Sequence, residues 1–170
     1  MNVEIRIATA RDAACACKVV RRSISECCGE DHGNDAAILE AWLGNKTAEN
    51  VEAWILSPAN FSVVAISGDA VAGIAMLTRG GKIVLCYVCP DRRFSGIGKA
   101  LLLALEAQAK QWNLRTLTLV STATAKTFYA HCGYSERGTT QSSIGLDLVS
   151  FSKRLGSGSY PRKIFCNCGD

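Results

Sequence analysis

The spacing of apolar residues changes repeatedly along this chain, and each change predicts an element. Residues 3–9 alternate apolar and polar and predict a strand. Residues 11–26 carry the 3.6-residue spacing of a helix, with Ala14, Val19 (or Cys15) and Ile24 inward and Asp12 in the first turn. A polar, glycine-containing loop is expected over 29–34, then a helix over 35–43 that carries Trp42. A further short helical stretch over 47–57 contains Val51, Trp54 and Ile55, and Pro58 ends it. Residues 61–67 and 70–78 flank a Gly68-Asp69 turn and predict a hairpin. Gly80-Gly81 turns the chain into the β-branched, apolar run 83–88. A helix over 96–112, a strand over 116–121, a helix over 123–131 and strands near 134–138 and 145–153 complete the pattern.

The order is β-α-α-β-β-β-α-β-α-β-β, with 47–57 as an extra helical stretch. Antiparallel runs joined by tight turns precede a strand–helix–strand crossover. The fold class expected is therefore α/β (α+β), with a mixed, mostly antiparallel sheet of about seven strands flanked by helices. A length of 170 residues suits one domain with a sizeable core, placed here at 1–155. Gly156-Ser157-Gly158-Ser159 has the composition of a flexible linker, so 156–170 is expected to be a flexible tail.

Composition narrows the class. Hydrophobic residues at 48% and charged residues at 20% fit a soluble globular protein. No apolar run approaches the roughly 20 residues of a membrane span. The start, Met-Asn-Val-Glu-Ile-Arg, lacks the basic-then-apolar profile of a signal peptide. The net charge of +4 is spread out, which is compatible with an anionic cofactor and makes no case for nucleic acid. Nine cysteines, an odd count without a secretion signal, point to reduced thiols in a cytoplasmic setting. Zinc would want paired spacings such as Cys-x-x-Cys. Cys27-Cys28 with His32, or Cys166 with Cys168, supplies at most half a site, so no metal is expected and the thiols read mostly as small apolar residues.

The candidate chemistry is densest over 88–100, Val-Cys-Pro-Asp-Arg-Arg-Phe-Ser-Gly-Ile-Gly-Lys-Ala. The apolar strand ends at a proline, and two glycines then open a helical pattern marked by Ile97, Leu101, Ala104, Leu105 and Trp112. Backbone N–H groups converge there at the positive end of a helix, an arrangement that suits an anion and above all a phosphate. Glycine lets backbone approach the ligand closely. A Walker A loop is excluded, because Arg93 stands where its first glycine belongs and Ala100 where its hydroxyl belongs. The dinucleotide fingerprint fails at Leu101. Taken alone, the stretch also fits an ordinary tight strand-to-helix turn.

What remains is Arg93-x-x-Gly96-x-Gly98 after a Val-x-Pro strand end, and it resembles the pyrophosphate loop of the GNAT N-acetyltransferases. Downstream, 125–134 reads Ala-Lys-Thr-Phe-Tyr-Ala-His-Cys-Gly-Tyr. Its Ala-x-x-Phe-Tyr-x-x-x-Gly-aromatic pattern resembles the second motif of that family, a short helix stopped by a glycine that accepts the left-handed conformation.

The resemblance implies an acetyl-CoA-dependent N-acyltransferase, with the cofactor in a split between the fourth and fifth strands. Cys86, Tyr87 and Val88 would border the pantetheine arm. The backbone of Arg93, Phe94, Ser95, Gly96, Ile97, Gly98 and Lys99 would take the pyrophosphate, with charge from Arg93 and Lys99. Phe94 stands where the family commonly has glycine, and Thr122 where it often has a cofactor-touching asparagine. The Val88 N–H would stabilise the oxyanion, and Tyr129 would be the general acid for the leaving sulfur. No carboxylate occurs over 82–87, where many members carry the base, so Glu30, Asp31 and His32 become the acceptor-side candidates. The acceptor expected is a small-molecule or peptide amine. A homodimer is one arrangement open to such a chain. The competing reading is a catalytically silent acyl-CoA-binding regulatory module.

Overall fold

The structure, a computed structural model, describes residues 3–156. The expected flexible tail, with Cys166 and Cys168, lies outside the described residues apart from Gly156. Strand β1 (Val3–Ile7) passes through a 3-10 turn at Ala10–Asp12 into helix α1 (Ala13–Cys27). A single helical turn, α2 (Gly29–His32), and helices α3 (Ala36–Leu43) and α4 (Ala48–Leu56) follow. Then come β2 (Asn60–Ser67), β3 (Ala70–Thr78), β4 (Lys82–Val88), α5 (Ile97–Gln111), β5 (Thr116–Thr122), α6 (Lys126–His131), β6 (Ser135–Gln141) and β7 (Asp147–Arg154). The starts of α3 and α4 are set by side chains: the Asp35 carboxylate accepts from the Ala37 and Ile38 amides, and the Thr47 hydroxyl from Asn50.

Two local expectations are corrected. The loop expected over 29–34 contains the turn α2, stopped by Gly33 in the left-handed conformation. Val19 and Ile24 are buried as expected, together with Ala13, Ala16, Cys17 and Val20, while Ala14 and Cys15 are exposed. The phase differs because residues 10–12 belong to the 3-10 turn. Asp12 closes that turn, its carboxylate accepting from the Thr9 amide at 2.8 Å and from Arg6 at 2.7 and 2.8 Å.

The seven strands run β1-β2-β3-β4-β5-β7-β6, and every neighbouring pair is antiparallel except β4–β5. Strands β2 and β3 are almost continuously apolar because both faces are covered. Val63, Ala65, Ala75 and Leu77 pack with α5 on one face, and Val64, Ile74 and Met76 pack with α1 and α4 on the other. Gly73 admits α5 to the first face, since a Cβ there would lie 2.9 Å from Leu101 Cδ1.

Strand β4 changes phase part-way. Ile83 joins the α5 core and Leu85 the α1 core, although residues two apart in a regular strand share a face. The register with β3 slips between Met76 and Leu77, leaving Val84 as the extra, exposed residue of a bulge. Bulges bend and twist a strand. Correspondingly, β4 pairs with β5 only at Lys82↔Thr118 and Ile83↔Leu119, and from the bulge onward the two strands are unpaired.

Candidate active site

The unpaired edges of β4 and β5 form a split, and the direction of the β4 amides can be read from its other side. The Cys89 amide donates to Ala72 O at 2.8 Å, across to β3. Successive amides in a strand point opposite ways, so the Val88 N–H faces the split, and Cys86, two residues earlier, faces it too. Tyr87, grouped with them from sequence, turns its peptide groups to β3 and its side chain toward the α1 core. There the Trp42 indole lies against the Tyr87 hydroxyl.

Beyond β4 a 3-10 turn, Pro90–Arg92, delivers an exposed loop, Arg93 to Gly96, to the start of α5. Gly96 caps α5 at φ +85° with no side-chain cap, so the first α5 amides have no side-chain acceptor. Gly98 is closely approached, since a Cβ there would lie 3.0 Å from Phe128 Cζ and the ring would have to shift to admit it. Phe94 adopts φ +60° and is 96% exposed, with the Arg93 guanidinium 4.9 Å from its ring centre. A left-handed backbone explains why glycine is easy at that position.

Tyr129 sits on α6, buried between Phe128, Tyr134 and Phe151 with ring centres 5.1 to 5.9 Å away. Its hydroxyl meets the Cys86 thiol. Burial, then the neighbouring Cys86 and Tyr87, push the Tyr129 pKa well above that of free phenol, so the hydroxyl is held protonated. Burial likewise pushes the Cys86 thiol up to about 12. An anionic sulfur would meet the same penalty in this environment.

Residues 28–155 match the model of the acetyltransferase (GNAT) domain. The chain belongs to the GNAT acetyltransferase family. Solved structures share its fold. A GCN5-related N-acetyltransferase from Rhodopseudomonas palustris superposes with a TM-score of 0.83 at 24% identity, over 91% of this chain and 97% of that one. PaiA N-acetyltransferase from Thermoplasma acidophilum, crystallised with coenzyme A, gives 0.76 at 20% identity, over 91% and 99%. YncA from Salmonella typhimurium, with its cofactor acetyl-CoA, gives 0.70 at 18%, over 95% and 98%. No curated protein matches the chain. Among the described residues no helix is long and apolar enough to cross a membrane, and no group of three metal-ligating side chains could hold an ion.

In this GNAT acetyltransferase the other sequence candidates fall into two groups. Ser95, Gly96 and Lys99 are exposed on the loop and the first turn of α5, whereas Ile97 is 2% exposed and anchors that turn in the core. Thr122 ends β5 on the far lip of the split. Glu30 is solvated, but Asp31 and His32 are not loop groups in solvent. Asp31 Oδ1 accepts the Thr124 amide at 3.1 Å, and His32 is 3% exposed. Cys28, at the start of α2, is pushed up to about 12, first by burial and then by the Asp31 charge, while Arg93 pulls it the other way. Thus α2 is fastened to the segment just past β5 through Asp31 and Thr124, and the Cys28 thiol that precedes it feels the charge of Arg93.

Sequence reasoning missed three supports. The Val84 bulge opens the split, yet 83–88 is apolar throughout and shows no break in period. The fit of Gly98 against Phe128 is invisible because those residues are distant in the chain. The third is a network in which the Lys153 ammonium donates to Glu106 at 2.8 and 3.0 Å and to Cys132 O at 2.9 Å. The Tyr134 hydroxyl also donates to Glu106, at 3.1 Å. It ties α5 and β7 to the end of the Tyr129 helix, and its partners lie 21 to 47 residues apart.

Proposed function

We propose that this acetyltransferase moves an acetyl group from acetyl-CoA to an amine, borne by a small molecule or a peptide, by direct attack in a ternary complex. One observation carries the reading: the open backbone edge of β4, the uncapped start of α5 and the Tyr129 hydroxyl meet at one split. Bound acetyl-CoA supplies a thioester whose carbonyl is open to attack and whose sulfur departs. The edge of Cys86 and Val88 has unpaired amides and carbonyls, suited to the amide-bearing pantetheine arm. Amides at the start of α5, with Arg93 and Lys99 nearby, suit the pyrophosphate. Val88 donates its N–H to the oxygen on which negative charge develops. Tyr129 donates its proton to the departing sulfur. Burial raises phenol and thiol together, so the match between donor and leaving group survives the low-polarity setting.

A second reading, a silent acyl-CoA-binding regulatory module, draws on the absence of a carboxylate over 82–88. Thiol release from acetyl-CoA across a panel of alkylamines, arylamines, hydrazines, polyamines and peptides separates the two. Acetyl transfer is expected with at least one acceptor. Tight CoA binding by calorimetry with no turnover on any acceptor would establish the silent module instead.

A further inference from the structure

Phe94 is placed at a double disadvantage in the free protein. Its ring is 96% exposed, and its backbone sits in the left-handed region at φ +60°, which a bulky residue adopts only at a cost. Strain of this kind persists only where the surrounding structure imposes it, and it gathers where ligands are held. The surroundings here are built. The Ser95 hydroxyl donates to Arg92 O across the loop, Gly96 is left-handed in turn at φ +85°, and Ile97 opens α5. One face of the Phe94 ring carries the Arg93 guanidinium, 4.9 Å from its centre. The exposure of the residue leaves the other face bare. Neither the packing of the loop nor the transfer chemistry uses that face.

Resting on the acetyl-CoA site proposed above, we infer that the Phe94 ring is a stacking platform for the adenine of the cofactor. Glycine, common at this position in the family, has no side chain to make that contact. Phe94 stands two residues before Gly96, so its Cα lies within about 7 Å of the turn into α5, where the amides suit the pyrophosphate. Adenosine is joined directly to that pyrophosphate, and its base is the only aromatic group of the cofactor. A Cβ built on Gly96 would meet nothing within 4 Å, so the loop is open between the ring and the helix start. Stacking asks only for a π face, and Arg93 on the far side of the ring adds positive charge beside the phosphates. Covering the ring with a base removes its exposed apolar face from water and so offsets the cost of the left-handed backbone. Phe94 thereby selects the donor: an acetylated pantetheine arm borne on anything but adenosine lacks the stacking partner.

Calorimetry on the full-length protein reads the contact. Wild type, Phe94→Gly and Phe94→Asn are titrated with CoA and with 4′-phosphopantetheine, which keeps the arm and one phosphate but lacks adenosine. Glycine and asparagine both accept the left-handed backbone, so the two variants remove the ring and leave the loop its course. CoA affinity is expected to fall by about five- to a hundredfold in both, the span for one base on one aromatic ring, while 4′-phosphopantetheine binds as it does to wild type. A second measurement uses Phe94→Trp, whose added indole emission should be quenched by CoA and left unchanged by 4′-phosphopantetheine. Equal losses for the two ligands would make the ring a support of loop shape. Undiminished CoA affinity in Phe94→Gly and Phe94→Asn, or an unquenched indole in CoA-saturated Phe94→Trp, would leave the ring unengaged. Any of these three results overturns the platform. Wild type that binds no CoA defeats the cofactor site itself, a different outcome from wild type that binds CoA with or without the ring.

Discussion

At the scale of single residues the buried phenol of Tyr129 has the most to explain. A tyrosine enclosed by Phe128, Tyr134 and Phe151 would serve as core with or without its hydroxyl. Yet that hydroxyl faces the Cys86 thiol at the edge of the split and is held protonated by burial. Replacing Tyr129 with Phe keeps the packing and removes only the donor. Its kcat is expected to fall about a hundredfold or more with KM for acetyl-CoA nearly unchanged, measured by steady-state thiol release. Unchanged turnover with a good acceptor would reduce Tyr129 to a packing role. Tyr129 could be named as a candidate from the sequence because its Phe-Tyr…Gly setting is local. His32 was only half legible: its type and its loop could be named, but the turn that carries it is buried and bonded through Asp31 to Thr124, some ninety residues away, where a solvated loop was the natural expectation.

At the scale of elements, the first turn of α5 and the helix α6 pack directly against each other. Gly98 sits against Phe128, so an added methyl forces the aromatic ring to move. Gly98→Ala is expected to cost about 1–3 kcal/mol in urea unfolding, as overpacking generally does, and to weaken CoA binding. Gly98→Ala combined with Phe128→Leu should recover part of both losses. Additive losses in this double-mutant cycle would show that the two positions do not meet. Phe94 shows the limit of motif reading. Its departure from glycine was visible, but the left-handed backbone it adopts and the full exposure of its ring belong to the folded loop. The β4 bulge is the opposite case, since nothing in the run 83–88 announces it.

At the scale of the whole molecule, the sheet separates two cores, one under α5 and one under α1 and α4. The N-terminal edge is fastened by charge. Hydrogen bonds from Arg6 foremost, and from Thr9, hold the Asp12 carboxyl at about 2, below its ordinary 3.8. The folded protein therefore binds fewer protons at Asp12 than the unfolded chain does. Its stabilisation is complete above about pH 4 and is lost as pH falls toward 2. With Asp12 buried and Arg6 partly exposed, the contribution at neutral pH is about 1–2 kcal/mol. Urea unfolding of wild type and Asp12→Asn should differ by that amount at pH 7 and converge near pH 2. A constant gap would assign the stabilisation to something other than ionisation.

The chain's own pattern of strands and helices, with two motifs about thirty residues apart, determined the fold class, the family and the loop expected to take the cofactor. Those features are local: a period of two or of 3.6, a glycine at a turn, a proline at a strand end. Only the tertiary structure decided that Val84 is squeezed out of register, that the Val88 amide faces an open edge, and that α2 is bonded to the segment just past β5. It also decided that His32 is buried with no protein partner. Each of these depends on which distant segment lies across from a residue, and that is settled by packing on the two faces of one twisted sheet rather than by any neighbour in sequence.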